Sequence, residues 1–128
     1  MIRDQETMQL LLDSIRNFVQ EELIPREEEV AESDEIPEDI VSQMRDMGLF
    51  GLTIPEEYGG LGVTMEEEVN IAFELGRTSP AFRSFIGTNN GIGSIGILVD
   101  GTDEQKANYL PQLASGDIIS SFCLTEPD

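Results

Sequence analysis

The sequence has no histidine, one cysteine, and only seven lysine and arginine residues against 26 aspartate and glutamate residues. The single cysteine, Cys123, excludes an internal disulfide and fits a reducing compartment. We expect it to be buried and unreactive, because no neighbouring base lowers its pKa. Without histidine, the acidic runs at 27–29 and 66–68 indicate solvated helix surfaces rather than a metal or acid–base site. No apolar run approaches the ~20 residues of a membrane span.

The formal net charge of −19 narrows the classes of partner. It argues against nucleic acid, whose binding requires Lys and Arg to neutralise phosphates, and against anionic membrane surfaces. An acidic surface that maintains solubility is the simplest interpretation, and a halophilic host is the alternative. The acidic N-terminus does not resemble a secretory signal or a transit peptide, so a cytoplasmic location is expected, with an organelle matrix as the alternative if a presequence has been removed.

Helical periodicity dominates the chain and predicts an all-α, antiparallel bundle of five to six helices. Capping boxes are predicted at Thr64 with Glu67 and at Thr102 with Gln105. The predicted segments are a first helix over residues 4–23, further turns over 26–32, and helices beginning at Pro37, Thr64, Ser79 and Thr102. The helix that begins at Ser79 is expected to run to about Val99, although glycines interrupt it and each costs roughly 1 kcal/mol relative to Ala.

Two other segments lack helical periodicity. Residues 49–62 form a glycine-rich loop, and the lysine of a phosphate loop is missing. We therefore expect Gly59 and Gly60 to have a structural role, because glycine adopts backbone angles that other residues resist. Residues 118–124 have the composition of a strand, yet one strand has nothing to pair with here. We therefore interpret the chain as a fragment, with a helical domain at 1–116 and the first strand of a β-domain at 117–128.

Three stretches in order carry a family resemblance. GLFGL at 48–52 runs into IPEEYGGLG at 54–62, GTDEQK at 101–106 precedes YLP at 109–111, and FCLTEPD occupies 122–128. Together they resemble the acyl-CoA dehydrogenase family and cover most of the chain. The resemblance implies a helical N-terminal domain, followed in that family by a central β-domain and a C-terminal four-helix domain.

The same resemblance implies FAD as cofactor, an acyl-CoA thioester as substrate and α,β-dehydrogenation as the reaction. It further implies an electron-transfer flavoprotein as electron acceptor and a homotetrameric full-length enzyme. The catalytic carboxylate would come from the C-terminal domain, so no residue here is assigned as catalytic and the fragment alone is expected to be inactive. Alternatives are an acyl-CoA oxidase or a flavin monooxygenase on the same fold, or a non-catalytic helical assembly module.

Two groups of site residues follow from the resemblance. Phe122, Leu124 and Thr125 would lie along the isoalloxazine ring, with the Thr125 hydroxyl near its polar edge; otherwise they simply end a strand. The acyl pocket would be lined by one face of the helix that begins at Ser79, formed by Phe85, Thr88, Asn89 and Ile92. Its mixed polarity favours a short, branched or unusual acyl group, unless the face belongs to the core.

Overall fold

The computed structural model describes residues 4–126, which form seven α-helices. These are α1 (Gln5–Phe18), α2 (Glu27–Ser33), α3 (Glu38–Asp46), α4 (Met65–Leu75), α5 (Pro80–Asn90), α6 (Ile95–Asp100) and α7 (Asp103–Ser115). A π-helical turn (Val19–Leu23) and a 3-10 turn (Ile24–Arg26) link α1 to α2. Two more 3-10 turns, Leu49–Gly51 and Glu56–Tyr58, lie between α3 and α4. The predicted all-α fold class is confirmed.

Side-chain caps fix the starts of four of the described helices, including α5, where the Ser79 hydroxyl accepts a hydrogen bond from the Ala81 backbone N–H at 3.4 Å. The Asp4 carboxylate accepts a hydrogen bond of 2.7 Å from the Thr7 backbone N–H at the start of α1. Complete capping boxes open α4 and α7, as the sequence predicts at Thr64 and Thr102. Each cap satisfies N–H groups that have no partner inside the helix, which contributes about 1 kcal/mol.

The core lies between α1, α3, α4, α5 and the 3-10 turn at Leu49–Gly51. Leu49 and Phe50 are fully buried at its centre. The other buried members are Ile15, Phe18, Val19, Leu23, Val30, Ile40, Val41, Met44, Leu52, Val63, Ile71, Leu75, Phe82 and Ile86. A smaller cluster of Ile54, Leu110, Leu113 and Ala114 attaches α7 to the loop. Burial of one such large apolar side chain contributes about 1.5–3 kcal/mol.

One ion-pair network crosses the core edge between α1 and α4. The buried Glu74 carboxylate accepts hydrogen bonds from Arg16 at 2.7 and 3.2 Å, and Arg77 lies 3.0 Å away. The hydrogen bond from Arg16 lowers the pKa of Glu74 below its usual value, with smaller contributions from the charges of both arginines. The network therefore stabilises the fold at neutral pH and loses that contribution as Glu74 becomes protonated in acid.

The long helix predicted over 79–99 is interrupted. It ends at Asn90, and Gly91 (φ −120°, ψ −107°) leaves the helical conformation before α6 begins at Ile95. The Gly91 and Gly93 amides still donate to carbonyls of the last turn of α5. The prediction of one continuous helix was wrong here, because glycine adopts such backbone angles at little cost.

Residues 117–126 contain no regular secondary structure. A strand requires a partner strand, and the described part of the chain supplies none, so the predicted strand at 118–124 is not formed here. Cys123 is exposed rather than buried, for the same reason. None of the described helices is long and apolar enough to span a membrane.

Candidate functional site

A cleft of about 360 Å³ lies between α4 and α5. Its apolar wall comes from both helices and from the loop before α4, and Gly87 leaves open space because an added Cβ there would contact nothing within 4 Å. The lining residues are Leu52, Glu68, Ile71, Ala72, Leu75, Arg83, Ser84, Ile86, Gly87, Thr88, Asn90 and Ile92. The cleft combines its apolar wall with five polar residues, Glu68, Arg83, Ser84, Thr88 and Asn90. Concave sites with an apolar wall and placed polar groups are typical of small-molecule binding.

Arg83 provides the only positive charge among the residues that line this cleft. No ion pair within residues 4–126 involves Arg83, whereas Arg16, Arg26, Arg45 and Arg77 all pair with acidic side chains. In a chain of net charge −19, an arginine without an acidic partner is unusual. Its guanidinium therefore retains donors for a carboxylate or another anion that enters the cleft.

The four predicted acyl-pocket residues do not share one surface. Thr88 and Ile92 line the cleft, and Ile92 is largely exposed. Phe85 lies on the opposite side of α5, where its ring packs edge-on against Phe50 with ring centroids 5.9 Å apart. Asn89 is completely buried and faces the chain that follows α7.

The amide of Asn89 is fully occupied by that segment. Its Nδ2 donates to the Leu113 and Ile118 carbonyls at 3.0 and 2.8 Å. Its Oδ1 accepts from the Ser120 N–H at 2.8 Å and from the Ser120 hydroxyl at 2.9 Å. Since two donations and two acceptances are the whole capacity of an amide, Asn89 has none left for a ligand in this arrangement.

Within residues 122–125, the backbone and the side chains of Phe122, Leu124 and Thr125 make no hydrogen bond to another described residue, whereas the Cys123 thiol contacts the Ser121 hydroxyl. Phe122 and Leu124 are 58% and 71% exposed, and Thr125 is also exposed. No hydrogen bond between described residues uses the backbone of 121–126. An exposed, extended segment with free N–H groups, a hydroxyl and two large apolar side chains can cover a flat aromatic ligand and bond its edge.

The side of α5 that lines the cleft includes Arg83 and Gly87, which were not predicted as site residues from the sequence. Both lie in the cleft together with Ser84 and Thr88, which puts that side about one residue earlier than the predicted one. The prediction followed the apolar residues, whose largest member, Phe85, is held by the core. The available signal for this side of the helix was a glycine, Gly87, one helical turn after a charged residue, Arg83.

The sequence-family model described as "Acyl-CoA dehydrogenase, N-terminal domain" matches residues 5–117 of this chain. The chain belongs to this family. The match ends where the structure leaves α7 and enters the segment that Asn89 holds.

Similar proteins agree with this assignment. The (2S)-methylsuccinyl-CoA dehydrogenase of Cereibacter sphaeroides is 41% identical over 124 residues, which are 96% of this chain and 22% of that protein. An acyl-CoA dehydrogenase of Bacillus anthracis, solved in complex with FAD, aligns over 97% of this chain and 21% of its own, with a TM-score of 0.81 and 31% identity. A chain in the structure of the electron transferring flavoprotein of Acidaminococcus fermentans aligns over 99% of this chain and 33% of its own, with a TM-score of 0.84 and 28% identity.

These proteins are much longer than the chain. It spans 22 to 32% of the length of several curated relatives that it matches. Residues 4–126 contain no group of three or more acidic or cysteine side chains arranged to hold a metal ion. The described residues supply a cleft and an exposed segment.

Proposed function

We propose that this domain acts within a FAD-dependent acyl-CoA dehydrogenase, where the α4–α5 cleft walls the acyl group and residues 122–125 lie against the flavin. The observation that carries the proposal is the structure of α5. One side of this helix lines the cleft through Arg83, Gly87 and Thr88, and another holds the segment that leads to Phe122. A single rigid helix would therefore align substrate and cofactor.

The residues present fit one wall of a flavin site. Phe122 and Leu124 offer apolar surface, and the Thr125 hydroxyl and the free backbone N–H groups offer donors to the polar edge of the ring. Bound FAD would supply hydride acceptance, which amino-acid side chains cannot provide. Donors fixed near that edge stabilise the negative charge that develops there.

The rest of the reaction depends on other parts of the protein. We propose that residues 1–116 form the helical domain and that 117–128 begin a central β-domain, and that a carboxylate of a C-terminal domain removes the α-proton. An electron-transfer flavoprotein would reoxidise the enzyme, which we expect to be a homotetramer. The 128-residue chain alone is expected to be colourless and inactive, because it lacks most of the proposed flavin site.

Loss of the Thr125 hydroxyl tests the flavin assignment in the full-length protein. We expect acyl-CoA to bleach the flavin absorbance without oxygen, and Thr125→Val to slow this reduction on the order of 10²-fold, as loss of one preorganised donor does. Stopped-flow absorbance measures the rate.

Thr125→Ser is the matched control, since it retains the hydroxyl and should keep most of the rate. A colourless full-length protein would overturn the proposal. Hydrogen peroxide as the main product would instead indicate an acyl-CoA oxidase, and oxygen insertion into a substrate would indicate a monooxygenase.

Removal of the positive charge of Arg83 tests which acyl group the cleft accepts. The relative from Cereibacter sphaeroides acts on methylsuccinyl-CoA, whose acyl group is short and branched and carries a free carboxylate in addition to the thioester. We expect Arg83→Gln to raise the KM for methylsuccinyl-CoA about tenfold or more, because a hydrogen bond to a charged group contributes about 1.5–3 kcal/mol. The KM for butyryl-CoA, which lacks that carboxylate, should change by less than about twofold.

Lys106→Gln is the matched control, because Lys106 also has no ion pair within residues 4–126 but lies on α7, outside the residues that line the cleft. Equal effects of Arg83→Gln on both substrates would contradict the assignment. Faster turnover of palmitoyl-CoA than of either short substrate would contradict the preference for a small acyl group.

A further inference from the structure

The segment that follows α7, residues 117–126, is hydrogen-bonded to α5 through one buried side chain, that of Asn89. Asn89 exchanges hydrogen bonds with Leu113 in α7 and with Ile118 and Ser120 beyond it. Among residues 4–126, Ser115 also bonds the backbone of both, but it is exposed and belongs to α7 itself, and Arg45 reaches only the Gly116 carbonyl, between α7 and the segment. Because Asn89 is fully buried, water cannot replace these bonds without opening the structure.

A glycine provides the room for this attachment. A Cβ at Gly93 would overlap the Ser120 hydroxyl and lie 2.5 Å from the Ser120 Cβ and 2.9 Å from the Thr88 carbonyl oxygen. The turn after α5 thus allows Ser120 to approach the helix closely enough to bond Asn89. Two independent features therefore determine the position of Ser120: the Asn89 amide bonds it, and Gly93 leaves the space that it occupies.

The attachment lies between the two proposed ligand sites. Thr88, which precedes Asn89, lines the cleft, and Phe122 follows Ser120 by two residues. Two residues span at most about 7 Å, so the position of Ser120 restricts where residues 122–125 can lie.

We propose that Asn89 is a positioning residue that sets residues 122–125, and with them the flavin, relative to the acyl cleft. The proposal rests on the proposed function, and it assigns Asn89 a different role from the substrate contact expected from the sequence. Asn89 acts through Ser120 and contacts no ligand itself. A purely structural asparagine would affect stability but not the rate of hydride transfer in the folded enzyme.

The first measurement is hydrogen exchange in the full-length protein, which does not depend on activity. We expect Asn89→Asp, which loses both donations to carbonyls, and the milder Ser120→Ala to speed exchange of the hydrogen-bonded amides of Ile118 and Ser120 by about tenfold or more, with amides of α1 and α3 unchanged. Asn108→Asp, at an exposed position on α7, is the matched control. Unchanged exchange in both variants would overturn the attachment.

The second measurement is flavin reduction by acyl-CoA in the folded variants. We expect the limiting rate to fall about tenfold or more with KM within about twofold, because misalignment affects the chemical step more than binding. Faster exchange of the Ile118 and Ser120 amides with an unchanged rate would overturn the positioning role. If the unmodified protein fails to reduce flavin, the proposed function fails, while the exchange data still decide whether Asn89 holds the segment.

Discussion

Replacing Gly60 with alanine is expected to destabilise the domain by about 3 kcal/mol or more, because the new methyl group would overlap rigid backbone. A Cβ at Gly60 would coincide with the Ile54 carbonyl oxygen and lie 2.6 Å from the Gly51 carbonyl oxygen. Neither oxygen can move freely, since the Gly51 carbonyl accepts a hydrogen bond from Leu61 and the Ile54 carbonyl accepts one from Gly62. Urea denaturation followed by circular dichroism measures the loss.

Gly59→Ala is the matched control for this effect. Gly59 has a φ of +85°, but a Cβ there would meet nothing within 4 Å. The left-handed conformation alone costs an alanine roughly 1–2 kcal/mol. We therefore expect Gly59→Ala to cost clearly less than Gly60→Ala, and equal effects would show that close approach is not what requires glycine at Gly60.

The difference between Gly59 and Gly60 also shows which structural requirements can be predicted from the sequence. Both were predicted to be structural through their backbone angles, and this holds for Gly59. Gly60 has no positive φ, and its requirement comes from the contact of the loop with itself. Such a contact is set by the tertiary fold, so composition and spacing predict the loop but not the reason for each residue.

Short sequence motifs predicted the helix starts correctly where a few neighbouring residues determine the local structure. The boxes at Thr64 and Thr102 are complete because residues three apart meet at any helix start. The break at Gly91 was missed, because a helix interrupted by glycine and a helix that tolerates it have the same local sequence. Core packing on α5 selects between them.

The side of α5 that lines the cleft shows the same limit of the sequence. Periodicity identifies residues that share a face, but it does not show how the helix is rotated against its neighbours. Phe85 is turned into the core by its contact with Phe50, which brings Arg83 into the cleft instead. Thr88 and Ile92 lie at the edge common to both faces, and their role as acyl-group contacts stays a prediction.

At the buried Asn90, replacement of the amide nitrogen by an oxygen is expected to have a strong effect on stability. Its Nδ2 donates to the Leu49 carbonyl at 2.6 Å and to the Ile86 carbonyl at 3.1 Å, and its Oδ1 accepts from the Thr53 N–H at 3.3 Å. Its own carbonyl accepts from the Thr53 hydroxyl. Asn90 thus joins the end of α5 to the turn at the centre of the core.

Asn90→Asp should destabilise the domain more at pH 8 than at pH 5. The oxygen that replaces Nδ2 in an ionised aspartate would face two carbonyl oxygens with no donor of its own, and burial also disfavours the charge, so the folded state raises the pKa of the aspartate. A carboxyl group with a raised pKa costs no stability from ionisation below its unfolded value, and the cost grows as pH rises toward the folded value. Each unit of increase corresponds to about 1.4 kcal/mol at high pH. Asn70→Asp, at an exposed position on α4, is the matched control and should show little of this dependence. Urea denaturation at both pH values measures the difference, and equal losses at pH 5 and pH 8 would show that the site accommodates the charge.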